Sequence, residues 1–333
     1  MKVRVGINGF GRMGRLAMRV AWERDGIEVV EVNEIATDAA GSAHLLKYDT
    51  LHGTWATDCD GGNNEINIDG RAVGHRMNPE IGAGDWRHCD IVIEATGRHH
   101  KNPEILKAYF AQGVKKVVVA APTEGALNIV MGVNDDCYDP AVHNLVTAAS
   151  CTTNCLAPVV KVMHERIGIR HGCMTTVHDL TNTQTIVDKG HKDLRRARAC
   201  GQSLIPTSTG SARAISYIFP ELEGKLNGHA IRVPVLNASL TDFVFEAERP
   251  VTRDEVNDYF RDAANGELEG ILGYEEKPLV SVDYLNDPRS SIVDALSTMV
   301  IDDTQVKVYA WYDNEWGYAN RVVDLVQKVA ATL

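Results

Sequence analysis

The stretch that decides the fold lies at the start of the chain and reads Val3-Arg4-Val5-Gly6-Ile7-Asn8-Gly9-Phe10-Gly11-Arg12-Met13-Gly14. Its first half predicts a strand, and the helical spacing from Arg15 to Glu23 predicts that a helix follows. A GxGxxG between a strand and a helix is the context in which this motif binds a dinucleotide. Gly9 permits the tight turn, Gly11 lets the backbone approach a pyrophosphate, and Gly14 lets helix and strand pack closely. The pyrophosphate would lie on N–H groups at the helix N-terminus.

A second predicted strand, Ile27–Asn33, is followed by Glu34, twenty positions after Gly14. At about this distance from the glycines, a carboxylate accepts hydrogen bonds from the adenosine ribose. The same carboxylate repels a 2′-phosphate, so Glu34 favours NAD over NADP as the cofactor.

The rest of the first half alternates strand and helix patterns, which indicates an α/β domain with a doubly wound parallel sheet. The further elements are strands at 90–94, 115–119, 127–132 and 144–148 and a helix at 103–112. This domain should close near Ala149.

Beyond residue 150 the strands come in runs, which predicts an α+β domain with a largely antiparallel sheet. Helices are predicted at 156–167 and 253–264, strands at 173–178, 230–235, 240–246 and 305–311, and an irregular polar stretch at 179–203. The last helix, 316–331, is expected to pack back on the first domain. We therefore expect a Rossmann NAD-binding domain formed by 1–149 and 315–333 and a catalytic domain formed by 150–314.

Composition and charge exclude several classes of function. The 333 residues suffice for two domains with separate cores, and 44% hydrophobic with 24% charged residues is typical of a globular protein. A formal net charge of −11 argues against nucleic acid as a partner. The seven cysteines include no CxxC pair, which predicts reduced thiols. No apolar run is long enough to span a membrane, so no membrane partner is expected. Because the N-terminus does not resemble a signal peptide, we expect a cytoplasmic location.

Cys151 is the candidate nucleophile, because it opens a long helical pattern with Ser150 at the N-cap position. Unpaired N–H groups and the positive end of the helix dipole favour a thiolate there. The predicted strand Cys173–His178 ends on a histidine, which would be the base that keeps Cys151 ionised. A packing role for Cys151 and a structural role for His178 are the alternatives that composition alone leaves open.

Six motifs resemble phosphorylating glyceraldehyde-3-phosphate dehydrogenase, and the similarity extends over essentially the whole chain. They are NGFGRMGR at Asn8–Arg15, SCTTNC at Ser150–Cys155, HKDLRRAR at His191–Arg198, TSTG at Thr207–Gly210, AIRVP at Ala230–Pro234 and WYDNE at Trp311–Glu315. The overall sequence is also similar to a bacterial branch of this family that is associated with arsenic-resistance operons.

This resemblance implies oxidative phosphorylation of D-glyceraldehyde 3-phosphate with NAD, in a homotetramer. Cys151 would attack the aldehyde, His178 would take the proton, and hydride loss would leave a thioester. Thr181 and Arg232 match the site for the substrate's own phosphate. The site for inorganic phosphate matches Ser150, Thr152, Arg196, Thr209 and Gly210. The cofactor positions match Gly9, Gly11, Arg12, Met13, Glu34, Arg76, Thr96, Ala120, Asn314 and Tyr318. No metal site is expected.

Departures from the family pattern affect cofactor choice. Glu34 stands where aspartate is usual, and Ala120 stands where serine is frequent. Lys189 lies in a loop that reaches the adenosine from a neighbouring subunit in relatives, and its charge could attract a 2′-phosphate. We expect NAD to be preferred over NADP, but this preference should be smaller than in relatives with apolar residues in that loop.

Alternative functions stay open at this point. One is a dehydrogenase of erythrose 4-phosphate, because Glu34 and the stretch Val280–Tyr284 are similar to the corresponding residues of that branch. Another is an NAD-binding thiol redox sensor without turnover. Arsenate is expected to replace phosphate as the attacking anion, because a hydroxyl-lined site discriminates weakly between isosteres. The product would be 1-arseno-3-phosphoglycerate, for which a transporter partner would make sense.

Overall fold

The computed structural model describes residues 2–333, and these divide into two compact units. The first contains the chain up to Ser150 together with Ala319–Leu333, and the second contains Cys151–Tyr318. Among the described residues, no helix combines the length and apolarity that crossing a membrane requires.

The first unit is built on a mostly parallel sheet. Its strands are β1 Val3–Asn8, β2 Ile27–Asn33, β3 Tyr48–Asp49, β4 Gly53–Thr54, β5 Cys59–Gly62, β6 Glu65–Ile68, β7 Arg71–Arg76, β8 Ile91–Glu94, β9 Lys116–Val119, β10 Leu127–Asn128 and β11 Leu145–Thr147. Its helices are α1 Arg12–Trp22, α2 Ala39–Lys47 and α3 Lys107–Phe110, with 3₁₀ turns at Ile81–Ala83, Pro103–Leu106 and Asp135–Cys137.

The strand order of this sheet is β10-β11-β9-β8-β1-β2-β7-β6-β5, and the small pair β3–β4 lies apart. The pairs from β10 to β7 are parallel, whereas β5, β6 and β7 form an antiparallel edge. Every residue of β8 and β9 is buried, as expected for parallel strands that are covered on both faces. The predicted Rossmann sheet is confirmed; the antiparallel edge went unpredicted because its short strands carry glycines and polar residues.

The second unit carries a mixed sheet. Its strands are β12 Ile169–His178, β13 Ile205–Ser208, β14 Leu226–Arg232, β15 Ser239–Ala247, β16 Leu272–Glu275, β17 Ser291–Asp294, β18 Met299–Ile301 and β19 Gln305–Tyr312. Its helices are α4 Cys151–Ile167, α5 Ser211–Ile218 and α6 Arg253–Ala264, with 3₁₀ turns at Cys200–Gln202, Pro220–Leu222, Ser281–Tyr284 and Ala295–Ser297.

This sheet has the order β13-β14-β12-β15-β19-β17-β16, with β18 paired to β19. Two pairs, β12–β14 and β16–β17, are parallel, and the others are antiparallel. Buried and half-buried residues alternate along β15, so one face of the sheet packs into the core. The helix α4 supplies much of that core, since most of its residues are buried.

The last helix, α7, spans Trp316–Ala330, and the boundary between the units falls after its third residue. From Ala319 onward it packs within the first unit. Lys328 Nζ lies 2.6 Å from the carboxylate of Asp135, and Gln327 donates a hydrogen bond to the backbone carbonyl of Asp25. The end of the chain therefore completes the unit with which the chain began.

Candidate active site

The glycine motif forms a pocket at the carboxyl end of β1. Gly9 adopts φ +91°, in the left-handed region, and a Cβ on Gly14 would lie 2.1 Å from the carbonyl oxygen of Gly9. By contrast, a Cβ on Gly11 would meet no atom within 4 Å. The first and third glycines are therefore required by the fold, whereas Gly11 leaves open the space that a pyrophosphate needs. The residues present fit a dinucleotide.

Residues from several strand ends and loops of the first unit line this pocket together with the glycines. The lining comprises Asn8, Gly9, Gly11, Asn33, Glu34, Ile35, Asn78, Pro79, Ala95, Thr96, Arg98 and His99. Four positions predicted to bind the cofactor are thus brought together, namely Gly9, Gly11, Glu34 and Thr96.

A buried carboxylate fixes this wall from behind. Oε2 of Glu94 accepts hydrogen bonds from Asn8 Nδ2 at 3.0 Å and from the Tyr109 hydroxyl at 2.6 Å. Its Oε1 accepts the backbone N–H of Thr96 at 3.0 Å and the Thr96 hydroxyl as well. The side chain of Thr96 is therefore directed at Glu94, and Thr96 presents mainly its backbone to the pocket.

The other cofactor positions of this unit lie around the pocket. Arg12 and Met13 are in the first turn of α1, and Arg12 donates to Asp49 at 2.9 Å. Burial alone would raise the pKa of Asp49, but hydrogen bonds from Arg12 and from backbone N–H groups outweigh it and lower the pKa to about 2. Arg76 ends β7 and lies 3.4 Å from buried Glu31. Ala120 follows β9, and its N–H donates to the carbonyl of Glu94.

In the second unit, the start of α4 meets the end of β12. Cys151 is the first residue of α4, and its sulfur lies 3.8 Å from Nε2 of His178, the last residue of β12. The histidine is 4% exposed, whereas Cys151 is half-buried. The helix start and the imidazole therefore meet at the thiol.

Charged groups surround the other nitrogen of this histidine. Nδ1 of His178 lies 2.5 Å from Oδ1 of Asp179 and 2.7 Å from Nη1 of Arg232. One nitrogen cannot donate and accept at once, so the proton on Nδ1 goes to Asp179, and Arg232 donates to the Asp179 carbonyl at 2.9 Å. Burial would lower the pKa of His178, but hydrogen bonds with Asp179 and Cys151 prevail and raise it to about 9.

Arg232 carries a buried guanidinium nitrogen that could donate to an anion. It ends β14, burial lowers its pKa, and within residues 2–333 its buried Nε has no hydrogen-bond partner. A buried guanidinium N–H without a partner is costly unless a ligand accepts its proton. An oxyanion beside Cys151 and His178 would supply that acceptor.

The remaining anion positions are distributed over the start of α4 and several loops. Thr152 is in the first turn of α4, but its hydroxyl contacts the buried Tyr312 hydroxyl at 2.9 Å. The hydroxyl of Thr181 contacts that of Thr183, and Arg196 donates to the Thr207 hydroxyl at 2.8 Å. Thr209 and Gly210 immediately precede α5, where Thr209 accepts the Ser211 N–H. Ser150 directly precedes Cys151 and ends the first of the two segments that form the first unit.

Asn314 and Tyr318, both predicted on the nicotinamide side, lie within the second unit and are buried. Asn314 donates to Oδ2 of Asp179 at 2.9 Å and accepts from the Ser239 hydroxyl at 2.9 Å. Burial raises the pKa of Tyr318. Sequence reasoning did not single out Asp179, Ser239 or Glu94. The one available signal was the acidic side chain directly after His178.

Comparisons with known proteins give a consistent result. Residues 3–102 match the family model described as glyceraldehyde 3-phosphate dehydrogenase, NAD binding domain, and residues 150–314 match the C-terminal domain of the same enzyme. "Glyceraldehyde-3-phosphate dehydrogenase 3" of Nostoc sp. is 60% identical, with all of both chains covered. "Glyceraldehyde-3-phosphate dehydrogenase" of Geobacillus stearothermophilus is 52% identical, with 99% of each chain covered.

Proposed function

The chain belongs to the glyceraldehyde-3-phosphate dehydrogenase family, and from this premise we propose how its own residues carry out the phosphorylating reaction. The six motifs predicted this family and its NAD-dependent oxidation of glyceraldehyde 3-phosphate. The full-length matches confirm both predictions. The product is 1,3-bisphosphoglycerate in this proposal.

The observation that carries the mechanism is the 3.8 Å contact between Cys151 Sγ and His178 Nε2 at the start of a helix. The Cys151 thiolate adds to the aldehyde carbon, and the protonated Nε2 gives its proton to the carbonyl oxygen, forming a thiohemiacetal. The neutral imidazole then takes the hydroxyl proton back as the carbon loses a hydride, which leaves a thioester on Cys151. NAD, when bound, accepts that hydride. An oxygen of inorganic phosphate finally attacks the thioester, and the C–S bond breaks to restore the thiolate.

Two sets of residues are proposed to hold the anions. Arg232 and Thr181 bind the substrate's own phosphate, which is supported by the unpartnered buried Nε of Arg232 among residues 2–333. The attacking phosphate is bound by Ser150, Thr152, Arg196, Thr209 and Gly210. Because the net charge is −11, these local donors must overcome the overall field.

The cofactor is NAD, and the proposed contacts extend beyond the pocket lining. Gly9, Gly11, Arg12 and Met13 serve the pyrophosphate, and Glu34 serves the ribose. The remaining positions are Arg76, Thr96, Ala120, Asn314 and Tyr318. The discontinuous NAD-binding domain is proposed as 1–149 and 315–333, and the catalytic domain as 150–314.

We propose a homotetramer in the cytoplasm. Support comes from large apolar side chains exposed in the irregular segment 179–203, where Ile186 is 86% and Leu194 is 80% exposed. Such side chains are suited to burial between subunits. All seven cysteines are free thiols, as a reducing compartment requires.

Arsenate is proposed as a second attacking anion. Phosphate and arsenate are tetrahedral oxyanions with the same charge pattern, and the proposed donors are hydroxyl and guanidinium groups that tolerate either. The product, 1-arseno-3-phosphoglycerate, would hydrolyse quickly unless a transporter partner removed it.

One set of assays tests the proposed function. NADH formation is followed with glyceraldehyde 3-phosphate and with erythrose 4-phosphate, each without anion, with phosphate and with arsenate. The expected result is turnover with glyceraldehyde 3-phosphate that depends on either anion. Higher kcat/KM with erythrose 4-phosphate would assign the alternative substrate. If Cys151 is oxidised but no NADH forms with either substrate, the protein would be assigned as a thiol redox sensor. Turnover with phosphate but none with arsenate would refute the arsenate proposal alone.

A further inference from the structure

A carboxylate outside the positions assigned above lies against His178. Asp179 is 1% exposed, and its Oδ1 is 2.5 Å from Nδ1 of the histidine, whose Nε2 faces the Cys151 sulfur at 3.8 Å. We propose that Asp179 is a positioning residue, which keeps the proton on Nδ1 and holds Nε2 toward Cys151. This inference rests on the proposed function, because it requires His178 and Cys151 to be the reacting pair.

Asp179 is itself held in place by Ser239, the first residue of β15, and by Asn314, which follows the end of β19. Its Oδ2 accepts a hydrogen bond from Asn314 at 2.9 Å, and its backbone N–H donates to the Ser239 hydroxyl at 3.1 Å. The Ser239 hydroxyl in turn donates to Asn314 at 2.9 Å. The carboxylate therefore has little freedom to turn away from His178, and the imidazole plane is fixed with it.

The charges that face His178 explain why a carboxylate is needed. Cys151 faces it from the start of α4, Arg232 from β14, and the ring of Tyr312 from β19 at 6.1 Å between centroids. Arg232, 2.7 Å from Nδ1, opposes a positive charge on the imidazole, as does burial. Among the described residues, Asp179 is the carboxylate in contact with this ring, and its charge offsets both effects.

Substitutions at this position can separate orientation from charge. Asp179→Asn keeps an oxygen that accepts the Nδ1 proton, because the Asn314 amide can turn over and the Ser239 hydroxyl can accept as well as donate. Asp179→Ala removes both the acceptor and the charge. Asp242→Asn is the matched control: Asp242 is paired to Lys307 on the same sheet and lies away from His178.

The first readout needs no cofactor or substrate. Alkylation of Cys151 by iodoacetamide is measured from pH 5 to 10.5 in NAD-free enzyme, with mass spectrometry to identify the modified thiol. In the wild type an inflection is expected near pH 9, where His178 loses its proton. Asp179→Asn should move this inflection to lower pH, and Asp242→Asn should leave it unchanged. Asp179→Glu should restore part of the shift.

The second readout is NADH formation. Asp179→Asn and Asp179→Ala should lower kcat by about 10- to 100-fold, the scale of one hydrogen bond to a charged group, with alanine the more severe. In a His178→Asn background, Asp179→Asn should have no further effect on kcat, because its action passes through the histidine.

An unchanged alkylation profile in Asp179→Asn, or an undiminished effect on kcat in the His178→Asn background, would overturn the inference. If both Asp179 variants fail to fold, Ser239→Ala decides, since it loosens the carboxylate without removing it. If Ser239→Ala moves the alkylation inflection to lower pH, by less than is expected for Asp179→Asn, the inference is supported. If the inflection does not move, the inference is overturned. A wild-type enzyme without NADH formation would refute the proposed function instead, while the alkylation profile would still report on Asp179.

Discussion

Replacing Gly14 with alanine is expected to destabilise the first unit, even though alanine is the better helix former. Inside α1 the change contributes about 1 kcal/mol in helix propensity. The new Cβ, however, would lie 2.1 Å from the carbonyl oxygen of Gly9 and 3.2 Å from Ile7 Cγ2. Overpacking against a backbone atom costs about 1–3 kcal/mol, and the severity of this clash places it at the upper end. The net loss is therefore about 1–2 kcal/mol, or a fall in Tm of roughly 2–8 °C.

The same substitution at Gly11 should have the opposite profile. Its Cβ would meet no protein atom within 4 Å, and its φ of −69° is available to any residue. The Tm should therefore stay within about 2 °C of the wild type, on the scale expected of a surface change. Because the Cβ fills space proposed for the pyrophosphate, NAD affinity should fall by about 10-fold or more, which corresponds to at least 1.4 kcal/mol.

Thermal unfolding of the NAD-free proteins and calorimetric titration with NAD distinguish the two effects. Gly82→Ala is the matched control, since its Cβ also meets nothing within 4 Å and it does not line the pocket. An unchanged Tm for Gly14→Ala, or normal NAD affinity for Gly11→Ala, would show that the assignment of the glycines is wrong.

Four further predictions concern the reaction and its pH dependence. Cys151→Ala should abolish turnover and leave the calorimetric affinity for NAD near normal; activity above a trace would contradict the covalent mechanism. His178→Asn should lower kcat by about two to four orders of magnitude. Because the folded-state pKa of His178 is raised from 6.5 to about 9, its stabilising contribution is complete below pH 6.5 and is lost as pH rises through 9. The Tm of the wild type should therefore fall relative to His178→Asn over that window, and parallel curves would refute the linkage. NAD should give the higher kcat/KM than NADP, and Lys189→Ala should widen the difference; a higher kcat/KM with NADP would refute the role of Glu34.

The parts of the site that could be predicted from the sequence are those that depend on residues close together in the chain. The glycine turn at Gly9 and the histidine at the end of β12 depend on short-range geometry, and each lies at the predicted position. The helix α4 begins at Cys151, directly after the predicted N-cap Ser150, although its polar first turn carries none of the apolar periodicity of 156–167. The sheet that the second unit forms is more mixed than expected, since β12 and β14 are parallel.

What could not be predicted depends on contacts between distant residues. Glu94 is joined to Asn8, 86 positions away, and Asn314 reaches Asp179 across 135 positions. No periodicity or spacing encodes such pairs, because they arise only when strands are placed side by side in the sheet. The partners of a catalytic group are for this reason harder to infer than the group itself.

The closing helix α7 has a consequence for synthesis on the ribosome. Lys328 and Gln327 anchor it to Asp135 and Asp25, so the first unit is incomplete until the last residues have left the exit tunnel. Roughly 170 residues of the second unit are translated in between, which at about 5–20 residues per second takes some 10–30 s. During that interval the groove that α7 will fill stays open on the nascent chain, exposing apolar surface to chaperones and to neighbouring nascent chains. The second unit, being continuous, can finish folding first.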